Sequence, residues 1–300
     1  MRVALLTIVL SAPALAGWQE RYRAGELLLS QGRPDEAQRA LIIALREAEA
    51  VAVEDSSLVV ILDALGRTEF KAGRYRRAKT YFERSLGLVR GKGTAEEAIA
   101  LTNAGTALQA LGENTRAEEM FRRALQVQPR NAAIWHLLGQ SLFEERRYME
   151  AETALRQSLT IQEESADRVS GAILSDLASI YSAQRQHRQA LDILDRAITA
   201  TPPGQVRARM LANRAILRWK LGHRADAESD LTQALAEMEA AVSPLHPDVA
   251  VILHSYAAVL EITGRGRQAK EIQKRAQAID SSFIALTNSR WLTVDWRDLK

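Results

Sequence analysis

The sequence predicts an all-α protein, a solenoid of about seven stacked helix pairs, and three observations support this class. Only 5% of the residues are aromatic, and 300 residues contain just 16 Gly and 7 Pro, which favours long helices over sheet. Hydrophobic residues make up 47% and charged residues 26%, which is enough apolar surface for a core. A short turn, followed five residues later by Ala, recurs along the chain.

The recurring turn defines the repeat frame. The turn residue is Gly in five copies and Arg in two, and these are Gly32, Gly73, Gly112, Arg146, Arg185, Gly222 and Gly264. The frame predicts units near 18–51, 59–92, 98–131, 132–165, 171–204, 208–241 and 250–283.

Two further columns of small residues support the frame independently. Seven residues before the turns lie Gly25, Gly66, Gly105, Gly139, Ala178, Ala215 and Ala257. Seven residues after the Ala lie Ala44, Ser85, Ala124, Ser158, Ala197, Ala234 and Ala276. Small side chains let two antiparallel helices approach to about 8 Å. We expect the large residue one turn earlier in the second helix, such as Leu41, Phe82 or Phe121, to fill the gap; the last unit is the exception, with Gln273 at this position.

At these positions the chain resembles the tetratricopeptide repeat family. The W-x-x-L-G pattern of that family is closest at Trp135-His136-Leu137-Leu138-Gly139. The last unit, His246 through Ile279, resembles the longer repeats of kinesin light chains and their bacterial relatives. The resemblance implies a right-handed α-solenoid over residues 17–281. It also implies that the first helices line a concave groove for an extended peptide or a partner helix.

The two ends of the chain are expected to lie outside the repeat array. Residues 1–16 combine a positive start, a short apolar run and Ala14-Leu15-Ala16, which is typical of a cleaved signal peptide. The run is too short for a permanent membrane anchor, so we expect export to the periplasm or the medium with no span after cleavage. Residues 282–300 contain Trp291 and Trp296 and predict a tail that either covers the end of the array or adds to a partner's sheet.

The resemblance and helical spacing together give candidate partner-binding residues. Asn103 and Asn213 lie two residues before the small column, where peptide-binding repeats often hold the ligand backbone. Exposed polar residues without a partner are the alternative for both. Arg23, Arg67 and Arg209 are candidates for binding a carboxylate, with solvated helix charges as the alternative. The remaining candidates are His136, Gln140, Phe70, Phe143 and Trp219, and for the aromatic residues packing is the alternative.

One known ligand of the family is not supported. Chaperone-tail-binding repeats use a two-carboxylate clamp of Lys, Asn, Asn and Lys or Arg. In the unit before Asn103 the matching positions hold Asp63 and Arg67. The sequence therefore does not predict that clamp.

The sequence predicts no catalytic, metal or cofactor site. There is no Cys, the five His form no H-E-x-x-H pair, and Gly91-Lys92-Gly93-Thr94 lacks the spacing of a phosphate loop. The net charge is +3 with interleaved signs, which does not favour nucleic acid. We expect a non-catalytic scaffold that binds a protein or peptide in its groove. The alternative is a structural component that self-assembles or docks into an envelope complex through the array ends and the Trp-containing tail. The sequence leaves the oligomeric state open.

Overall fold

The computed structural model describes residues 17–165 and 170–283. Over these two ranges the chain forms fourteen α-helices and no strand. The helices are α1 Trp18–Ser30, α2 Pro34–Ala50, α3 Asp55–Lys71, α4 Tyr75–Val89, α5 Ala95–Ala110, α6 Asn114–Val127, α7 Ala132–Glu144, α8 Tyr148–Glu164, α9 Gly171–Ala183, α10 His187–Ala200, α11 Gln205–Lys220, α12 Arg224–Ala241, α13 Pro247–Ile262 and α14 Gly266–Phe283.

Each repeat contributes a first helix, here called the A helix (odd numbers), and a second, the B helix (even numbers). The chain divides into two compact units, the first ending at Arg147 and the second beginning at Tyr148. The first unit holds the pairs α1–α2, α3–α4 and α5–α6 and then α7. The second holds α8 and then the pairs α9–α10, α11–α12 and α13–α14. The predicted all-α solenoid of about seven helix pairs is confirmed.

All seven predicted turn residues have a left-handed backbone. The five glycines have φ between 71° and 87°, while Arg146 and Arg185 have φ of 60° and 62°. The turn N–H and the next N–H bond back to carbonyls of the A helix, as in Arg146 to Phe143 and Arg147 to Leu142. This ends the helix with its last carbonyls satisfied. Glycine adopts this conformation without cost, whereas each arginine pays about 1 kcal/mol.

The small columns lie where helices approach most closely. A Cβ added to Gly66 would lie 2.2 Å from the ring of Phe82, and one added to Gly105 would lie 2.6 Å from the ring of Phe121. Gly25 has the same relation to Leu41. The large residue therefore does fill the gap opposite the small one. All seven small residues of the B helices are fully buried.

Four A helices begin three or four residues before the predicted starts of their units. The predicted starts are 59, 98, 208 and 250, and the helices begin at Asp55, Ala95, Gln205 and Pro247. The frame came from packing columns, whereas capping sets where a helix begins. Thr94, for example, caps α5 by accepting the N–H of Glu97, and Pro247 occupies the first turn of α13.

The predicted signal peptide (1–16) lies outside the described residues, and so does the predicted tail from residue 284 onward. Both stay predictions. Within the part of the chain that the structure describes, none of the helices has the length and apolar character needed to span a membrane.

Candidate partner-binding groove

The A helices form one layer within each unit. In the first unit α1 contacts α3, α3 contacts α5 and α5 contacts α7, and in the second α9 contacts α11. These contacts between successive A helices are more extensive than those between successive B helices of the described chain. Because the A helices are closer together, we infer that they line the inner side of each unit. The predicted site residues all lie on A helices.

In the first unit, Asn103 of α5 lies beside Asp63 of the preceding A helix. Asp63, Ser85 and Asn103 are called the Asp63 site here. Partial burial raises the pKa of the Asp63 carboxyl, while its interactions with Ser85 and Asn103 and the charge of Arg67 act in the opposite direction. No Lys or Arg within the described ranges forms an ion pair with Asp63. The site is therefore a half-buried carboxyl group beside two neutral polar side chains, and the Arg67 charge acts on it without an ion-pair contact.

In the second unit, Asn213 of α11 lines a small notch against α9. The notch is lined by Ser175, Ala178, Ser179, Ser182, Leu194, Asn213, Ile216 and Leu217 and has room for about one water molecule. This group is called the Asn213 site. Asn213 is only 9% exposed, and its Oδ1 accepts no hydrogen bond from any described residue. The hydroxyl of Ser179 donates its proton to the Ser175 carbonyl at 3.0 Å, so it does not donate to Asn213 Oδ1. The site presents an amide oxygen that has no hydrogen-bond donor among the described residues, surrounded by small neutral side chains.

The two sites occupy the same place in the repeat. Asn103 and Asn213 lie two residues before the small residue of their A helices. In each preceding A helix, the residue three positions before the small one is Asp63 in the first unit and Ser175 in the second. One position therefore carries a carboxylate in one site and a hydroxyl in the other.

Two of the three candidate arginines are bound by acids of the chain itself. Arg67 Nη2 lies 2.9 Å from both carboxylate oxygens of Glu26 in α1. Arg209 lies 2.5 Å, through Nη2, from Oδ2 of Asp248, which is almost fully buried. A partner's carboxylate would have to compete with these acids. Arg23 is exposed and has no ion pair among the residues described.

The other candidates also have neighbours within their own unit. His136 and Gln140 lie 3.3 Å apart through their Nε2 atoms. The ring of Phe70 is 5.1 Å from that of Tyr75. Trp219 belongs to the hydrophobic core of the second unit at 9% exposure, which favours the packing alternative for this residue. Phe143 is half-buried in α7. The partner-binding roles of these residues stay predictions.

A partly buried ion-pair network in the second unit was not predicted from the sequence. Arg214 binds Asp230 through two contacts of 2.6 and 2.9 Å and also binds Asp195 at 2.7 Å. Arg218 adds a contact to Asp230 at 2.9 Å. Burial raises the pKa of Asp230, and the two arginines oppose that shift. Because the partners come from three helices, only the four-residue spacing of Arg214 and Arg218 marks the network in the sequence.

The described residues contain no group of three or more His, Asp or Glu side chains placed to hold a metal ion. The Asp63 and Asn213 sites instead offer two amides, several hydroxyls and the Asp63 carboxyl.

Known proteins share both the sequence pattern and the fold. Two family models, each described as tetratricopeptide repeat, match residues 21–90, 98–141 and 130–202, which together are more than half of the chain. The human Protein O-mannosyl-transferase TMTC1 is 28% identical over an alignment of 220 residues that covers 63% of this chain and 24% of that protein. The chain thus spans about a quarter of the length of this curated relative.

Two solved structures share the fold at low sequence identity. A tetratricopeptide repeat protein from Parabacteroides merdae superposes with a TM-score of 0.66 at 17% identity, covering 93% of this chain and 99% of that one. The apo form of the quorum sensor NprR from B. thuringiensis superposes with a TM-score of 0.72 at 13% identity, covering 92% of this chain and 80% of that one. The packing columns, the turns and the family-model matches agree, and the chain belongs to the tetratricopeptide repeat family.

Proposed function

We propose that this protein is an exported, non-catalytic scaffold that holds a segment of a partner protein against its A helices. The tetratricopeptide repeat fold is typically a scaffold for protein–protein interaction, and the proposal adds where the partner binds. The observation that carries it is the Asn213 amide, which is nine-tenths buried with an oxygen that has no hydrogen-bond partner among the described residues.

The Asn213 site offers a bound segment a hydrogen-bond acceptor. A buried acceptor without a donor costs about 1–3 kcal/mol. An N–H group of a bound segment would satisfy Oδ1, and the Asn213 side chain could in turn donate to a carbonyl. Ser175, Ser179 and Ser182 place only short side chains on the facing surface of α9, so a backbone can approach closely.

Peptide selection tests this proposal with a defined probe. A random 12-residue display library is selected on the full-length protein, and the affinities of enriched peptides are measured for wild type, Asn213→Ala and Ser179→Leu. We expect both variants to bind at least about tenfold more weakly, because one removes a hydrogen-bonding group and the other fills the notch. Unchanged binding by both variants would contradict the proposal.

A matched control separates the groove from the outer surface. Arg196 is exposed on the B helix α10 of the same unit and makes no ion pair with a described residue. Arg196→Ala is expected to bind the peptides as wild type does. Thermal unfolding of all variants verifies that the comparison is made between folded proteins.

The exported location rests on the tripartite pattern of residues 1–16. Sequencing the N-terminus of the mature protein from its native host tests it. A chain that begins at Gly17 is expected, and a chain that retains Met1 would remove the export proposal.

A further inference from the structure

Two exposed apolar side chains lie beside the Asp63 site. Val60 of α3 is 44% exposed and Ile99 of α5 is 50% exposed. Both lie six residues before the small residue of their helix, so they occupy the same position in consecutive A helices, and these helices contact each other. Val60 and Ile99 are called the apolar strip here.

The apolar strip and the Asp63 site lie on one face. Asp63 follows Val60 by three residues, and Asn103 follows Ile99 by four, which on a helix makes each pair direct neighbours. This part of the first unit therefore places a carboxyl group one helical turn from exposed aliphatic surface.

Asp63 differs from other buried acids of the chain. Glu69 lies 2.6 Å from Arg74 Nε, and Asp230 and Asp248 are each bound by arginine. No described residue forms an ion pair with Asp63, although it is partly buried, where a carboxylate without an ion-pair partner is unfavourable.

The nearest guanidinium does not balance this charge. Arg67 lies one turn after Asp63 and is bound by Glu26 at 2.9 Å. The Arg67 guanidinium is thus shared with Glu26 and makes no ion pair of its own with Asp63. The equivalent position in the second unit is Ser175, so a repeat of this chain also packs with a neutral residue there. The carboxylate is thus not required by the packing of the repeat.

We propose that the Asp63 site and the apolar strip together bind a lysine or arginine side chain of the partner segment. The cationic head lies at the Asp63 carboxylate, and the alkyl stem lies on Val60 and Ile99. Long basic side chains combine these two chemistries, and a charged hydrogen bond in a partly buried site is stronger than an exposed one. The inference rests on the proposed function, because it assigns a residue type to the segment that the A helices hold.

The test uses the peptides selected on wild-type protein. We expect them to contain Lys or Arg at one recurrent position. Replacing that residue by norleucine should weaken binding to wild type about tenfold or more, but it should change binding to Asp63→Asn by less than about threefold. This double-mutant cycle detects a direct interaction, since independent sites would give additive effects.

Glu261→Gln is the matched control. Glu261 is an exposed acid on the A helix α13 of the second unit, so the substitution makes the same change of charge elsewhere. The control should keep the full effect of norleucine. If norleucine changed peptide binding equally in Glu261→Gln and Asp63→Asn, the basic residue would have no specific interaction with Asp63. That result would overturn the inference.

The outcomes distinguish this inference from the proposed function. Peptides without a recurrent basic residue, whose binding is nevertheless lost in Asn213→Ala, would overturn the inference and leave the proposed function standing. A wild-type protein that enriches no peptide would overturn both. Asp63→Asn removes a partly buried charge, so its melting temperature should equal or exceed that of wild type, and a fold defect would not mimic the expected result.

Discussion

The Asp63 site of the first unit and the Asn213 site of the second occupy the same place in the repeat but differ in chemistry. Both have an asparagine two residues before the small residue of an A helix. The facing position holds Asp63 in one and Ser175 in the other. The packing columns are shared by both units, whereas the residues two and three positions before them vary. The repeat therefore separates a common framework from the residues that set its binding chemistry.

The largest effect is expected in the shared framework. Gly66→Ala would place a Cβ 2.2 Å from Phe82, and relieving this overlap should lower the free energy of unfolding by about 1–3 kcal/mol. Gly87→Ala is the control, because Gly87 lies in α4 with no atom within 4 Å of its added Cβ. That variant should gain up to about 1 kcal/mol from helix propensity. Urea unfolding measures both, and a destabilised control with a neutral Gly66→Ala would contradict the packing account.

Exchanging the facing residues sharpens the comparison of the two sites. Asp63→Ser gives the first site the residue of the second and should weaken binding of peptides with a basic residue about tenfold. Ser175→Asp does the reverse and should make binding at the second site depend on a basic residue. Peptide affinities measured by titration calorimetry test the pair. The comparison fails if neither exchange alters the preference for basic peptides.

The two arginines with positive φ, one in each unit, test how much the left-handed turns cost in stability. Arg146→Gly and Arg185→Gly should each raise the free energy of unfolding by about 1 kcal/mol, because glycine adopts positive φ without a Cβ penalty. Gly112→Ala should lower it by a similar amount. Denaturant midpoints measured at pH 7 provide the readout. If both arginine variants lost stability, the side chains rather than the backbone would dominate these turns.

The smallest effects concern pH, and two acids should act in opposite directions. Burial raises the pKa of Asp63 in the folded protein, so wild type loses stability relative to Asp63→Asn as the pH rises through that pKa. Arg207 lowers the pKa of Glu237, so wild type gains stability over Glu237→Gln above the unfolded value, and this gain disappears as the pH falls through the folded pKa. Melting temperatures between pH 3 and 7 measure both differences. If the melting-temperature difference between wild type and variant changed with pH in the same direction for both acids, the opposite pKa shifts of Asp63 and Glu237 would be contradicted.

The sequence predicts the framework well because the framework depends on side-chain size. Gly66 opposite Phe82 and the positions of the turns, including those at Arg146 and Arg185, follow from the repeat frame, whereas the left-handed backbone of the two arginines was not predicted. The helix starts at Asp55 and Ala95 do not, since capping by loop residues sets them.

The pairings of charged residues could not be predicted in the same way. Arg67 and Glu26 are 41 residues apart and Arg209 and Asp248 are 39 apart, so only the packed helices bring them together. The open amide of Asn213 likewise depends on α9 facing α11, although its position in the repeat had marked it as a candidate. Size patterns are periodic along the chain, whereas ion pairs depend on individual residues in different repeats.

The central claim is that a partner binds the A-helix face, and site-specific photo-cross-linking in the native host tests it most directly. A photoreactive residue is placed at Val206, which is 49% exposed on α11 and two helical turns before Asn213, or, as control, at Arg196 on α10. The account predicts that position 206 cross-links a distinct partner, that Asn213→Ala removes this product, and that position 196 gives none. A product formed from position 196 alone, or one from position 206 that Asn213→Ala leaves unchanged, would contradict it.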